Sequence, residues 1–447
     1  MSERGPYRIA VVGAGPSGLY AVAALLKSQV PVSIDVFDRL PTPYGLVRFG
    51  VAPDHAKMKT VIDTLRKPFE VPDVEYFGNV TIEPGFGAQH LREHYHAVVY
   101  ATGSQRDRDL AIEGEELSTG AVRFVNWYNG HPDAAQADFD LRGEQVAIIG
   151  GGNVALDLAR VLLKDPDQLG RTDIPDRVLE RLRSSSVREV NIFIRRGPAE
   201  VKFTPVELGQ IGELADVDVF LHNADLPRSA AGSELDRRVK RNLEHFEEWS
   251  GREPGGKPRS VHFWFHTRPV EISGSARPEA IVVEQQPATG HSEQDAGRAA
   301  GRNPRSIPAQ LVIRAIGYDA RPVPGLPFDP ASGTVPNRDG RVVDRTEIVQ
   351  GSYVTGWIKR GPTGIIGTNR SCAAETVAAV LADLDSLPAP RLPSRNDLRA
   401  ALAARAARRT DWQDWLVLDE HERGLGRSRG AERVKIPDLP SILAVLD

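Results

Sequence analysis

Two short apolar runs, each followed by a cluster of glycines, set the pattern of hydrophobic and polar positions along this chain. Residues 8–12 and 145–149 have the length of strands and are apolar after their first position, which is typical of strands buried on both faces of a parallel sheet. Residues 19–26 and 156–164, which follow the glycines, are rich in alanine and leucine and predict helices packed on those sheets. The pattern therefore predicts an α/β chain with two units of the same plan.

The first glycine cluster contains Gly13, Gly15 and Gly18 between a predicted strand and a predicted helix. In a dinucleotide-binding fold the first glycine allows a tight turn, the second lets a pyrophosphate approach the backbone, and the third lets helix and strand pack closely. A second strand, residues 33–37, ends at Asp38, where a carboxylate can accept hydrogen bonds from the ribose hydroxyls of an adenosine. A solvated acid at a strand end is the alternative for Asp38, and the surrounding fingerprint favours the ribose contact.

The second glycine cluster, residues 150–155, reads GGGNVA and has alanine at the third glycine position, a variant that the dinucleotide fold accepts. The next strand, residues 188–194, ends in Arg195 and Arg196, where a site for NAD would carry an acid. Two guanidiniums can hold the 2′-phosphate of NADP with paired hydrogen bonds. A basic, solvated turn is the alternative, and the agreement of strand, position and glycine motif favours NADP.

Two further predicted strands, residues 97–103 and 311–317, also end in glycine. In flavoproteins with two dinucleotide-binding folds, such strands carry the chain from one domain to the other. We therefore expect two Rossmann-like domains, with an NADP domain at residues 106–318 inserted in an FAD domain. The FAD domain would consist of residues 1–105 and 319–447, the second part ending in a helical tail.

Composition limits the functions open to this chain. Its 447 residues and 40% hydrophobic content support two packed cores. With 56 basic and 60 acidic residues, no overall charge attracts nucleic acid or a membrane surface. No apolar run reaches the roughly 18 residues of a membrane span, and the N-terminus has no secretory signal pattern. We therefore expect a cytoplasmic protein, with a monomer favoured although the sequence does not fix the oligomeric state.

Cys372 is the single cysteine of the chain. One thiol cannot form an internal disulfide, a redox-active CxxC pair or the thiolate cradle of an iron–sulfur cluster. An iron–sulfur centre that accepts electrons from this chain must therefore belong to another protein.

Three stretches, taken with the glycine motifs, resemble the adrenodoxin reductase-like family of ferredoxin-NADP reductases. They are residues 40–48 with 50–55, residues 150–157 and residues 356–369. The last stretch is the most specific, because related disulfide reductases carry Gly-Asp where this chain has Gly356-Trp357.

The resemblance implies two sets of cofactor contacts. The FAD set consists of Gly13, Gly15, Ser17, Gly18, Asp38, Leu46, Ile82, Trp357, Gly364, Ile365 and Ile366. The NADP set consists of Arg108, Gly150, Gly152, Asn153, Val154, Ala155, Arg195, Arg196 and Glu207. It also implies that Gly364 lies near the nicotinamide. Arg108 and Glu207 depend on the resemblance alone, since an isolated charged residue is more often at the surface.

Residues 371–383 predict a helix, and Thr368 and Asn369 are of the residue types that favour an N-cap just before it. A helix N-terminus carries about half a positive charge, which would stabilise the negative charge of a reduced flavin. An ordinary capped helix is the alternative.

His55 lies beside the flavin in the family that this chain resembles. The resemblance makes it the candidate catalytic residue, either to orient bound groups or to relay a proton. A turn residue after Pro-Asp is the alternative.

The sequence therefore predicts an enzyme, a ferredoxin-NADP(+) reductase with FAD and NADP as cofactors and no metal. NADPH would give a hydride to flavin N5, and the reduced flavin would release single electrons to a separate ferredoxin-type iron–sulfur protein. Alternatives are an NADPH-dependent flavin oxygenase or small-molecule reductase, and a non-catalytic nucleotide-binding interaction protein. Because ferredoxins are acidic, the basic residues 237–241 or Lys359 with Arg360 are candidate docking surfaces.

Overall fold

In the computed structural model the described residues are 5–226, 235–253, 255–286, 304–392, 394–405 and 408–447. The chain divides into two compact units. The first comprises Met1–Arg106, Asn129–Ala135 and Tyr318–Asp447, and the second comprises Asp107–Tyr128 and Gln136–Gly317. None of the helices in the described ranges combines the length and the apolar character that crossing a membrane requires.

The first unit is built on a sheet whose central strands are parallel. Within the described residues its strands are, in spatial order, Asn337–Arg338, Arg341–Asp344, Glu347–Val354, Ala97–Tyr100, Tyr7–Val12, Val32–Phe37 and Val74–Phe77. The first two strands and Glu347–Val354 pair antiparallel, and the remaining pairs are parallel. Ile9, Ala10 and Val11 are fully buried, as expected for a central strand that is covered on both faces.

The helices of the first unit cover this sheet and form the tail. They are Pro16–Lys27, Leu46–Phe49, Ala56–Lys59, Ile62–Leu65, Ala88–His94, Trp357–Arg360, Thr368–Asp383, Arg395–Ala403, Trp412–Arg429 and Leu439–Leu446. The helices Pro16–Lys27 and Thr368–Asp383 pack against each other, and their side chains Leu19, Val22 and Val377 share one buried core.

The second unit repeats the parallel plan. Its main sheet has, in spatial order, Thr119–Gly120, Leu311–Arg314, Gln145–Ile149, Glu189–Phe193, Arg259–Trp264 and Val217–His222. All pairs in this sheet are parallel. An antiparallel sheet of Thr267–Gly274, Pro278–Gln285 and Arg305–Pro308 accompanies it. The helices are Ala121–Tyr128, Asn153–Leu163, Pro166–Leu169, Asp176–Arg183, Pro205–Gly212 and Arg237–Ser250.

Residues 129–135 differ from the division made on the sequence, because they belong to the first unit and not to the 106–318 segment. Side-chain contacts explain this. Arg39 donates two hydrogen bonds to the carboxylate of Asp133, at 2.9 and 2.8 Å, and Lys435 Nζ donates to Asn129 Oδ1 at 3.1 Å. Sequence periodicity could not predict that these seven residues belong to the first unit, because their partners are distant in the sequence.

A buried ion pair attaches the C-terminal tail to the segment after the second strand. Arg48 donates to both oxygens of Glu422, at 2.8 and 2.5 Å, and these residues are 3% and 0% exposed. Arg433 lies 3.3 Å from Glu422 and 2.7 Å from Asp419. Burial alone would raise the pKa of Asp419. The guanidiniums of Arg433 and Arg423 together lower this pKa by more, so the net shift is downward. Lys435 Nζ also donates to the Arg48 carbonyl at 2.8 Å.

We predict that Glu422→Gln destabilises the first unit strongly, because the buried Arg48 guanidinium would lose its counter-charge and Arg433 would keep only Asp419. Breaking one partner of a buried ion pair costs about 3–5 kcal/mol, which chemical denaturation would measure. The control is Glu420→Gln in the same helix, whose partner Arg427 is exposed and which should leave stability unchanged within error. Equal effects of the two substitutions would contradict the prediction.

Candidate functional site

The first glycine turn of the chain leaves no room for side chains at two of its three glycines. Gly13 has φ +111°, and a Cβ there would lie 2.4 Å from the carbonyl oxygen of Ala101. A Cβ on Gly18 would lie 1.9 Å from the Gly13 carbonyl oxygen. At Gly15 the nearest atom is 3.9 Å away, on Gly45. The turn is thus tight on its protein side and open at the position where a phosphate would approach.

Unsatisfied polar groups occur at this turn and on the two chain segments that contact it. The helix Pro16–Lys27 begins after Gly15 with no side-chain cap, so its first N–H groups are available to an anion. The backbone N of Thr102 lies against Gly13, and the buried hydroxyls of Thr102, Thr42 and Ser104 have no hydrogen-bond partner among the described residues. A dinucleotide, which is rich in oxygen, fits such a lining, because buried polar groups are normally paired.

Asp38 lies at the end of the strand Val32–Phe37 and is already tied to the backbone. Its Oδ2 accepts from the N–H of Ala14 at 2.7 Å and its Oδ1 from that of Leu40 at 2.9 Å. Burial raises the pKa of Asp38, while these two bonds and Arg39 oppose the rise. Each carboxylate oxygen keeps a second lone pair, so the carboxylate can still accept a hydroxyl from a fixed position.

The predicted flavin loop packs against the first glycine motif. Gly356 has φ +73°, and a Cβ there would lie 2.1 Å from Ser17 Oγ, so the structure brings this glycine of the family motif against the predicted FAD residue Ser17. The helix Trp357–Arg360 follows, and Trp357 Nε1 donates to the Thr363 carbonyl at 3.2 Å. A small residue at 356 is therefore required for the loop to reach the turn.

The apolar side chains of the predicted FAD set differ in exposure. Leu46 is 39% exposed and Ile365 67% exposed, and an apolar ring system could cover such side chains. Ile82, in contrast, is partly buried against the core that contains Phe86. Gly364, with φ +81°, sits in the same loop as Ile365 and the half-buried Ile366.

Lys359 and Arg360 are internal braces and do not form a docking surface, which corrects the sequence-based candidate. The Lys359 side chain is 8% exposed, with Nζ 2.9 Å from Glu375. Arg360 donates to Asn369 Oδ1 at 2.8 Å and to Thr363 through its carbonyl and, at 3.1 Å, its hydroxyl. Arg360 therefore joins the two ends of the loop that carries Gly364–Ile366.

The helix after this loop begins earlier than its sequence suggests. It runs over Thr368–Asp383, with Gly367 at the N-cap position and no side-chain cap. Thr368 and Asn369 are thus first-turn residues and not N-caps, which corrects the prediction. Thr368 Oγ1 instead accepts from the Ile365 N–H at 3.2 Å, so its hydroxyl anchors the loop. The N–H groups of the first helix residues donate to the carbonyls of Ile365, Ile366 and Gly367.

His55 precedes the short helix Ala56–Lys59 and is half-buried. Its carbonyl accepts from the N–H groups of Met58 and Lys59. These contacts fix the backbone at His55, and its catalytic role stays a prediction.

The second glycine turn repeats the geometry of the first. Gly150 has φ +147°, and a Cβ there would lie 2.2 Å from the Ala315 carbonyl oxygen, whereas Gly152 has no atom within 4 Å of the same point. The helix Asn153–Leu163 begins after Gly152 without a side-chain cap. Ala155 is fully buried, which explains why the third glycine position takes only a small residue.

Four more residues of the predicted NADP set lie in the second unit. Asn153 Oδ1 accepts from the N–H of Thr204 at 2.8 Å; Thr204 precedes the helix that carries Glu207. Glu207 is 9% exposed, and its carboxylate has no partner in the described part of the chain. Arg108 is exposed, and its Cδ lies 3.6 Å from the Cβ position of Gly317. The half-buried Val154 lies in the first turn of the helix Asn153–Leu163.

Arg195 and Arg196 follow the strand Glu189–Phe193 and are both exposed. Neither guanidinium makes an ion pair or hydrogen bond with the residues that the structure describes. Other arginines of the described residues are paired with acids, as Arg268 is with Glu284 at 2.8 Å. Two adjacent unpaired guanidiniums after a glycine turn suit a phosphate ligand.

Sequence reasoning missed two residues that shape these sites, Arg360 as a brace and His266, whose ring lies against Gly197 just after the two arginines. Each acts through contacts with residues that no motif marks. A glycine directly after Arg195-Arg196 is the single local signal that space is short there.

We predict that Arg360→Gln weakens FAD binding about tenfold, because hydrogen bonds to a charged group contribute about 1.5–3 kcal/mol and the loop would lose its brace. Titration of the apoprotein with FAD, followed by fluorescence, measures this. The exposed Arg370, in the following helix, gives the control Arg370→Gln. The idea fails if both variants bind FAD like the wild type.

Comparisons with known proteins agree with this geometry. Residues 7–189 match the pyridine nucleotide-disulphide oxidoreductase family. The chain is 41% identical to the NADPH-ferredoxin reductase FprA of Mycobacterium tuberculosis, over 98% of this chain and 99% of that protein. It is 34% identical to the mitochondrial NADPH:adrenodoxin oxidoreductase of Arabidopsis thaliana, over 98% and 95%.

Among solved structures, Mycobacterium tuberculosis FprA in complex with NADPH matches with a TM-score of 0.89 and 40% identity, covering 99% of both chains. The predicted fold of two Rossmann-like units and the predicted class, an oxidoreductase, are confirmed. The chain therefore belongs to the family of NADPH-ferredoxin reductases that also contains the adrenodoxin reductases.

Proposed function

We propose that this chain is an FAD-containing reductase that transfers electrons between NADPH and a separate ferredoxin-type iron–sulfur protein. The observation that carries the proposal is a pair of glycine turns with the same geometry, of which the second alone is followed by two unpaired arginines. Full-length similarity to proteins named NADPH-ferredoxin reductases supports it.

The first unit is assigned to FAD. Gly13, Gly15 and Gly18 with the free N–H groups of the helix Pro16–Lys27 would hold the pyrophosphate, and Asp38 would accept the ribose hydroxyls. The flavin end would lie along the remaining residues of the predicted set, which are Ser17, Leu46, Ile82, Trp357 and Gly364–Ile366.

The second unit is assigned to NADPH. The turn from Gly150 to Ala155 would hold the pyrophosphate, and Arg195 and Arg196 would hold the 2′-phosphate. Arg108, Asn153, Val154 and Glu207 complete the proposed set. The unpaired carboxylate of Glu207 can accept N–H groups, as those of a carboxamide.

The chain contributes binding, orientation and electrostatics more than acid–base chemistry. When bound, FAD supplies the capacity to take two electrons from NADPH and to pass them on singly. The helix Thr368–Asp383 begins directly after this loop, and the partial positive charge at its N-terminus would favour an anionic ring. Trp357 and Ile365 would exclude water, and His55 is the proposed group that orients a ligand or relays a proton.

An acidic ferredoxin needs a basic docking surface. With Lys359 and Arg360 engaged internally, the remaining candidate is the helix Arg237–Ser250. It presents Arg237, Lys240 and Arg241 as exposed side chains. We propose this helix as the docking surface and a monomer as the working form.

The deciding experiment is anaerobic addition of NADPH to the purified protein, followed by a ferredoxin. The proposal expects loss of the flavin absorbance and then its return as the ferredoxin is reduced. Rapid oxygen consumption with slow ferredoxin reduction would indicate an oxygenase or small-molecule reductase. A yellow protein that NADPH does not bleach would indicate a non-catalytic role and overturn the proposal.

We predict that replacing Arg195 and Arg196 together by alanine lowers the affinity for NADPH at least tenfold while NADH binding changes little. The reason is that the 2′-phosphate, which NADH lacks, would lose its paired hydrogen bonds. Steady-state KM values for both nucleotides measure this. Arg188→Ala, an exposed arginine at the start of the same stretch, is the control. Parallel losses for NADPH and NADH would contradict the prediction.

A further inference from the structure

The turn that carries the two unpaired arginines is fastened from one side by the backbone of residues 266–267. The N–H of His266 donates to the Arg196 carbonyl at 3.1 Å, and the N–H of Thr267 donates to the Ile194 carbonyl at 2.9 Å. His266 adopts φ +48°, a left-handed conformation that is uncommon for residues other than glycine. A residue held in this way is constrained by its surroundings.

The His266 side chain fills the space beside the turn where residue 197 has no side chain. A Cβ on Gly197 would lie 2.8 Å from both Cε1 and Nε2 of His266 and 3.1 Å from Asp225 Oδ1. The histidine is 3% exposed. The imidazole and the backbone of Gly197 are therefore in direct contact.

Asp225 fixes the orientation of the imidazole. Its Oδ1 lies 2.7 Å from His266 Nε2, and an ionised carboxylate can only accept, so Nε2 donates. The Asp225 side chain is 49% exposed, whereas that of His266 is 4% exposed. The Asp225–His266 pair thus extends from the protein surface to the buried side of the turn at Gly197.

We propose that His266, oriented by Asp225, is a positioning residue that makes the Arg195–Arg196 turn selective for a 2′-phosphorylated nucleotide. This rests on the proposed NADPH site. Neither guanidinium has a partner among the residues that the structure describes, so the backbone of the turn determines where the two side chains begin. Paired hydrogen bonds from arginine to a phosphate depend strongly on geometry. Without the His266 ring, the turn could shift toward the empty space beside Gly197. The arginines would then lose their paired hydrogen bonds to the phosphate, while the contacts to the rest of the nucleotide would remain.

The test compares two probes that differ only in the phosphate, 2′,5′-ADP and 5′-AMP, by calorimetric titration of the purified protein. For His266→Ala we expect the affinity for 2′,5′-ADP to fall about tenfold and that for 5′-AMP to fall less than about twofold. Asp225→Asn, at a half-exposed position that tolerates exchange, should give a smaller loss of the same kind. Equal losses for both probes would mean a general structural role and overturn the proposal.

A double substitution provides the sharper outcome. Gly197→Ala places a methyl group against the imidazole and should reduce the affinity for 2′,5′-ADP selectively. Adding His266→Ala to Gly197→Ala removes the clash, so the double variant should bind 2′,5′-ADP more tightly than Gly197→Ala alone. Additive losses would contradict the contact as the cause.

Two comparisons separate this proposal from the one on which it rests. His222→Ala is the matched control, because His222 lies in the same unit and its ring contacts His262 at 2.9 Å and not the turn. The His222→Ala variant should prefer 2′,5′-ADP over 5′-AMP as strongly as the wild type does. If the wild type does not prefer 2′,5′-ADP, the proposed NADPH site fails. If it does and the His266 and Asp225 variants keep that preference, only the positioning role fails.

Discussion

Both units depend on one constraint, the approach of a backbone carbonyl into the space that a side chain would fill at the first glycine of each turn. In the first unit that carbonyl belongs to Ala101, and in the second to Ala315. Each follows the strand that pairs with the strand leading into the turn. The shape of each turn therefore depends on the end of the neighbouring strand. On the open side of the turn the helix N–H groups have no side-chain cap, so an anion can bind there.

The two units differ in how they hold the charged residues that follow the next strand. Asp38 is tied by two backbone N–H groups, so its carboxylate occupies one position before any ligand arrives. Arg195 and Arg196 are unpaired and exposed, and their placement depends on a turn that is held from behind. The N–H groups beside Asp38 fix its short side chain directly, whereas a long cation that has no acidic partner is positioned only through its backbone. The Arg195–Arg196 turn therefore depends on backbone contacts from residues 266–267, whereas Asp38 is held by hydrogen bonds to its own carboxylate.

Much of this arrangement could be predicted from the sequence because its determinants are local. The strand Gln145–Ile149 and the glycines at 13 and 150 follow from apolar runs and from steric rules that act within a few residues. The N-cap at Gly367 was missed because Thr368 and Asn369 have cap-forming side chains that the loop uses otherwise.

The contacts that escaped prediction join distant parts of the chain. Arg48 and Glu422 are 374 residues apart, and His266 contacts Gly197 from the turn between the strands Arg259–Trp264 and Thr267–Gly274. Nothing in periodicity or spacing identifies such partners, because the fold decides which segments meet. Sequence motifs therefore predict the turns and the ligands that they bind. The residues that support the turns can be identified only from the three-dimensional structure.

The buried ion pair of the tail is better understood as a positioning device than as a source of stability. Such a pair gains little over apolar residues of the same size, because desolvation offsets its attraction. What it does is fix Arg48, and with it the segment in which the N–H of Tyr44 donates to the Ala14 carbonyl at 2.8 Å and Gly45 approaches Gly15. The tail thus supports the pyrophosphate turn from behind, much as the His266 pair supports the arginine turn. In both units the groups proposed to touch the cofactor are held by residues that do not.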